Sequence, residues 1–322
     1  MPVNGIEVCV ETFGESTDPA VLLIGGATSS MDWWEDEFCR RLAAGGRYVI
    51  RYDHRDTGRS TSFPAGRPPY SGVDLAHDAL GVLDVLDVRR AHLVGLSMGG
   101  ALAQRIAVER PHRVLSLTLM STSPGLTDDQ SHEEPGPTSE PGSTDQQRPT
   151  SEQGPTDQER PTGEKGPTGE KGTEEQGITE APPETGEVAD WSNRRASAAR
   201  IAETVRALGG AFTADEPHLR RLAERVFDRT QDMAAAQVNH FLVEPGPAFR
   251  CRLGEITAPT LILHGTQDPV FGPEHAQALA DEIPGARLRW LDGVGHEFPP
   301  SAVWPTVIEE ILGQAARGRQ PA

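Results

Sequence analysis

Gly95-Leu96-Ser97-Met98-Gly99 restricts what this chain can fold into more than any other stretch. Residues 91–96 ahead of it are a short apolar run, enough for one buried strand. Residues 98–108 behind it set Ala101, Leu102, Ile106 and Ala107 at helical spacing. A strand that turns this sharply into a helix crowds its own backbone, so the positions two before and two after the serine must lack side chains. The serine backbone is then strained, and its hydroxyl projects from the C-terminal edge of a parallel sheet. A glycine-rich turn could carry a serine by chance. The strand before it and the helix after it favour a nucleophile.

The flanking chain extends the pattern. Residues 21–24 are all apolar, as in a strand covered on both faces, and end in Gly25-Gly26-Ala27-Thr28-Ser29-Ser30. Residues 35–44 read as a helix stopped by Gly45-Gly46. Residues 48–52 are the next strand and run into the polar loop 53–60. Ser71 and Asp74 open a further helix with a capping box, and 114–120 is another buried strand. Residues 6–13 alternate as one strand. Beyond Trp191, residues 192–208 and 218–243 read as two helices, the second opened by a capping box over 213–216. Residues 259–263 and 287–291 resume the sheet, with a helix over 274–283 between them and a closing helix over 303–312. Such alternation predicts βαβ units and a mostly parallel, doubly wound α/β sheet. Its expected parts are a first core segment over 1–126, an insertion over 127–190, a helical cap over 191–250 and a second core segment over 251–322. In sheets of this kind ligands bind beyond the carboxyl ends of the strands.

Charge is concentrated in one place. The net charge is −18, and residues 127–190 hold 17 acidic and 4 basic side chains, so the remainder is an ordinary, mildly acidic chain. From Glu133 the sequence falls into hexamers such as EEPGPT, SEPGST, SEQGPT and GEKGPT, with almost no apolar residues. A six-residue unit of this composition cannot build a core, so a disordered, solvated insertion is expected. A partner-binding or modification segment would have the same composition. A strict Gly-X-Y period spans only 163–172, too short for a triple helix. No basic face suggests nucleic acid, and no apolar stretch approaches membrane-spanning length. Cys9, Cys39 and Cys251 show no metal spacing, their number is odd, and no secretory signal is visible. Free thiols, a reducing compartment and a cytoplasmic protein without a resident metal are therefore expected.

A serine hydroxyl is a weak nucleophile until a base takes its proton and a carboxylate steadies the charged base. In a sheet of this type the chain order is serine, acid, histidine. Ser97, Asp268 and His296 follow that order, and each lies just after an expected strand. Ser97 is read as nucleophile, His296 as general base and acid, and Asp268 as the partner of the histidine. Asp268 before Pro269 also suits a turn, and His296 also suits a loop. His264 lies too close to Asp268 in sequence to be the distant base, and Glu297 is expected to point away from the site. Acyl transfer also needs an oxyanion hole. The N–H of Met98, after the nucleophile, is one donor, and the N–H of Ala27, in the loop after 21–24, is the expected second. Met31, Trp33 and Trp34 suit either an apolar substrate pocket or the core.

These residues carry a resemblance. The stretches Leu22-Leu23-Ile24-Gly25-Gly26, Tyr48 through Ser60, Gly95-Leu96-Ser97-Met98-Gly99, Asp268-Pro269 and Gly295-His296 are similar to those of the α/β-hydrolase superfamily. Within it the chain resembles aclacinomycin methylesterase-type serine esterases of actinomycetes, outside about 123–190. Gly25-Gly26 stands where the superfamily usually has His-Gly. The resemblance implies hydrolysis of a carboxylic ester, with a methyl ester of a polyketide-like small molecule as the most specific substrate, through an acyl-enzyme and without a cofactor. A lactonase or cofactor-free perhydrolase would share the triad, and an inactive binding protein would share the fold. Epoxide hydrolases and dehalogenases of this fold use an aspartate nucleophile, and Ser97 argues against them.

Overall fold

The computed structural model describes residues 1–125 and 190–318. The hexamer stretch lies outside the described residues. Seven strands form one sheet: β3 (Val10–Phe13), β4 (Ala20–Ile24), β5 (Tyr48–Tyr52), β6 (Ala91–Leu96), β7 (Val114–Met120), β8 (Thr260–Gly265) and β9 (Arg287–Leu291). Their order is β3-β5-β4-β6-β7-β8-β9. Only β3 runs antiparallel to its neighbour; every other pair is parallel. A small hairpin, β1 (Pro2–Val3) and β2 (Ile6–Glu7), precedes the sheet and turns through Asn4 and Gly5, both at positive φ.

Strand alternation decides the layers. Leu22, Ile24, Ile50 and Leu93 face one side, where they pack with α2 (Gly72–Val85), α3 (Met98–Glu109) and α7 (Pro273–Glu282). Val21, Leu23, Val49 and Val94 face the other, against α1 (Asp36–Ala44) and α8 (Trp304–Arg317). Both faces being covered, the central strands are apolar throughout. The expected capping box of α2 is present: the Ser71 hydroxyl accepts the Asp74 N–H, and the Asp74 carboxylate accepts the Ser71 N–H.

Three further helices follow the segment that is not described: α4 (Arg194–Leu208), α5 (Glu216–Arg229) and α6 (Met233–Val238), with a 3-10 turn over Asn239–Leu242. Ala198, Ile201, Ala223 and Met233 form their own small core, against which Trp33, Trp191 and Phe227 pack. The single helix expected over 218–243 is thus broken. Thr230 is extended, the Gln231 side chain donates to the carbonyls of Arg59 and Ser60, and Asp232 caps α6. The cap of α5 is Asp215, which accepts the His218 N–H at 2.9 Å, rather than Thr213. The strand expected over 6–13 is also interrupted. Glu7 and Cys9 give their backbone groups to the 53–61 loop: Asp53 N–H donates to the Cys9 carbonyl and Thr61 N–H to that of Glu7. No helix among the described residues is long and apolar enough to cross a membrane.

Candidate active site

The loops that leave β4, β6, β8 and β9 at their carboxyl ends converge on one rim. Ser97 sits between β6 and α3 with φ 52° and ψ −120°. A residue with a Cβ in that region is strained by about 1–3 kcal/mol. Surrounding bonds hold it there. Its N–H donates to the Met120 carbonyl at 2.9 Å, and its own carbonyl accepts the Thr122 hydroxyl at 2.9 Å. The two flanking glycines are sterically required. A Cβ on Gly95 would lie 2.2 Å from the Gly99 carbonyl oxygen, and one on Gly99 would lie 2.3 Å from that of Ile24.

Asp268 follows β8, and its carboxylate is almost fully buried. Oδ1 accepts the N–H groups of Val270 and Phe271 at 2.9 and 3.0 Å, and Oδ2 lies 3.0 Å from His296 Nδ1. Burial opposes ionisation, but His296 and the two amides outweigh it and hold the carboxyl below its ordinary range. His296 Nε2 lies 3.0 Å from Ser97 Oγ. The structure therefore brings Ser97, His296 and Asp268 into one hydrogen-bonded chain. Because Asp268 can only accept, Nδ1 carries the proton and Nε2 is free to take one from the serine. His264 Nε2 is 3.9 Å from Asp268 Oδ2 but donates to the Phe271 carbonyl at 2.9 Å, which makes it a buttress.

The loop after β4 lies against the serine. A Cβ on Gly26 would stand 3.4 Å from that of Ser97. Among the described residues no hydrogen bond takes up the Ala27 or the Met98 N–H. Met31, Trp33 and Trp34 separate. Trp34 is 1% exposed and belongs to the core, stacked on Phe38 and edge-on to Phe298, so it does not wall a pocket. Met31 is equally buried, with its N–H on Asp53 Oδ1 at 2.8 Å. Only Trp33 is partly open, parallel to Phe298 at 6.2 Å and touching the cluster of the inserted helices. The short 3-10 turn over Met31–Trp33 sends neighbouring side chains in different directions, which sequence spacing does not reveal.

Three residues of the site region carry little sequence signal. Glu297 is buried, and its Oε1 accepts from Gly210 N–H, the Thr213 hydroxyl and Gly295 N–H. It fastens the α4–α5 connection to the histidine loop. Burial pushes its carboxyl up. Arg229, from α5, reaches two fully buried carboxylates, Asp53 at 2.8 Å and Asp32. Against the burial that disfavours its charge, these two carboxylates hold the guanidinium charged. His240, from the 3-10 turn after α6, touches the Gly25–Ser30 loop. Arg229→Met should leave the buried Asp53 carboxylate without a cationic partner, while Asp32 keeps Arg225 at 2.7 Å, and cost about 3–5 kcal/mol of stability, read as a lower urea midpoint at unchanged slope.

Residues 19–300 match the sequence model of the α/β hydrolase fold, and the chain belongs to that family. Among its relatives, rhodomycin D methylesterase DauP of Streptomyces sp. (strain C5) is 34% identical over 289 residues, covering 90% of this chain and 88% of the other. Rhodomycin D methylesterase DnrP of Streptomyces peucetius gives the same identity and coverage. Among solved structures, the enol-lactonase of Burkholderia xenovorans LB400 superposes with a TM-score of 0.64 at 22% identity, covering 98% of each chain, and shares the fold.

Proposed function

We propose that this carboxylic ester hydrolase works through Ser97, His296 and Asp268, and that its substrate is a methyl ester borne on a polycyclic, polyketide-like small molecule. One observation carries the mechanism: the unbroken chain of hydrogen bonds from Asp268 Oδ2 through His296 to Ser97 Oγ, 3.0 Å at each link. Ser97 Oγ attacks the ester carbonyl as His296 Nε2 takes its proton, and Asp268 steadies the imidazolium. The carbonyl oxygen becomes an oxyanion in reach of the Ala27 and Met98 N–H groups. Collapse expels the alkoxide, which leaves as methanol with the proton from His296. Water, deprotonated by the same nitrogen, attacks the acyl-enzyme and frees the carboxylic acid and Ser97. The substrate is inferred from the two rhodomycin D methylesterases, which are 34% identical over most of the chain.

A fluorophosphonate probe, peptide mapping and a methanol assay test this. The expected result is one adduct per chain, on Ser97, and methanol release from methyl esters of aromatic polyketide acids in preference to simple alkyl acetates. A folded protein that takes no adduct removes the serine mechanism. Adduct formation with equal turnover of every ester removes the substrate.

A further inference from the structure

We propose that His240 is a positioning residue for the oxyanion hole, holding the Ala27 donor in place from the inserted helices. The inference rests on the ester-hydrolysis reading above. It starts from the turn that carries Ala27. Thr28 has φ 62°, a left-handed conformation that a β-branched residue adopts only under external constraint. Two imidazoles supply that constraint. His54 Nε2 lies 3.1 Å from the Gly25 carbonyl oxygen, and the Thr28 N–H donates to His240 Nδ1 at 2.9 Å. The Gly25 carbonyl belongs to the peptide before the one that holds the Ala27 N–H, and the Thr28 N–H belongs to the peptide after it. The donor peptide is thus clamped on both sides, and its own carbonyl, that of Gly26, accepts the Ser29 N–H.

The chemistry of His240 is fixed by its partners. Its Nε2 faces the Arg55 carbonyl at 2.9 Å, which can only accept, so Nε2 carries the proton. Nδ1 faces an amide N–H and must be bare. Burial, with His54 nearby, pushes its pKa down to about 3, so the neutral ring that this geometry requires persists through the working range. The neighbouring residue fixes the backbone: Asn239 is fully buried, its amide donates to Asp56 Oδ2 at 2.9 Å and accepts from Gly66 N–H at 2.8 Å. The oxyanion hole is therefore complete only when the turn over Asn239–Leu242 is seated on the core.

The test compares His240→Phe, His240→Gln and His240→Asn in the full chain. Phenylalanine keeps ring volume without an acceptor, glutamine reaches only the Nε2 position, and asparagine can place an acceptor near the Nδ1 position. Each is assayed with an activated aryl ester and with two inhibitors: an aryl trifluoromethyl ketone, which forms a hemiketal oxyanion with serine, and the matching methyl ketone, which binds without one. The phenylalanine and glutamine variants are expected to lose about 10–100-fold in kcat and in trifluoromethyl ketone affinity. KM and methyl ketone affinity should stay within about twofold, and asparagine should recover most of the loss. Equal weakening of both ketones, or no weakening, overturns the proposal. If the phenylalanine variant does not fold, the glutamine and asparagine pair decides the matter by the same ratio. A wild type that binds the trifluoromethyl ketone no better than the methyl ketone would instead refute the serine mechanism.

Discussion

Ser97→Ala is expected to lower kcat for ester hydrolysis by about 10⁶-fold while leaving the fold intact. Without Oγ no acyl-enzyme forms, and His296 and the two amides can only assist direct attack by water. The same site predicts a stability order that separates chemistry from strain. Alanine keeps the Cβ at φ 52°, whereas glycine adopts that conformation freely. Ser97→Gly should therefore melt above Ser97→Ala, by about 1 kcal/mol after the added entropy of an unfolded glycine is counted. Calorimetry on the two inactive variants reads it directly. An alanine variant more stable than the glycine variant would mean that the turn is not strained at this residue.

Asp268→Asn is expected to cost about 10⁴-fold in kcat, with little change in KM. The isosteric amide can still accept from Val270 and Phe271 through its oxygen. Its NH₂ then faces His296 Nδ1 and donates to it, which drives the imidazole proton to Nε2, where the serine needs an acceptor. The charge that steadies the imidazolium is lost as well. The pH dependence follows from the direction of the Asp268 shift. Its folded carboxyl titrates below the ordinary value of 3.8, so ionisation favours the folded state above that value and the benefit disappears as pH falls through the folded pKa. Acid unfolding of Asp268→Asn should accordingly be less steep below about pH 4. A variant with near wild-type kcat would show that the histidine finds its tautomer without Asp268.

The positions of Ser97, Asp268 and His296 are legible in the sequence because each follows a short apolar run, and because chain order in a parallel sheet decides which edge a loop reaches. Ser97 adds its glycines and Asp268 its proline. What escapes is whatever depends on pairing across long stretches of chain. His240 meets Thr28 across 212 positions and Arg229 meets Asp53 across 176. Arg229 stands among several arginines of α5, and nothing local tells it from Arg220, which merely pairs with Glu216 in the same helix. His240 lies where apolar spacing suggests continuing helix; the break at Thr230 that reorients the chain is made by contacts with Arg59 and Ser60. Trp33 and Trp34 show the same point at short range, because their different fates depend on a 3-10 turn that hydrophobic periodicity does not mark.

The loop bearing His296 is sewn to the end of α4. His296 N–H donates to the Leu208 carbonyl at 2.7 Å, Ala211 N–H donates to that of Gly293 at 2.7 Å, and a Cβ on Gly295 would strike Gly209 at 2.4 Å. His296, the proposed general base, is thus suspended partly from the end of α4 and the connection that follows it. Swapping that segment alone between relatives would mis-hang the imidazole. Productive chimeras would have to exchange residues 208–213 and 293–297 as a matched pair.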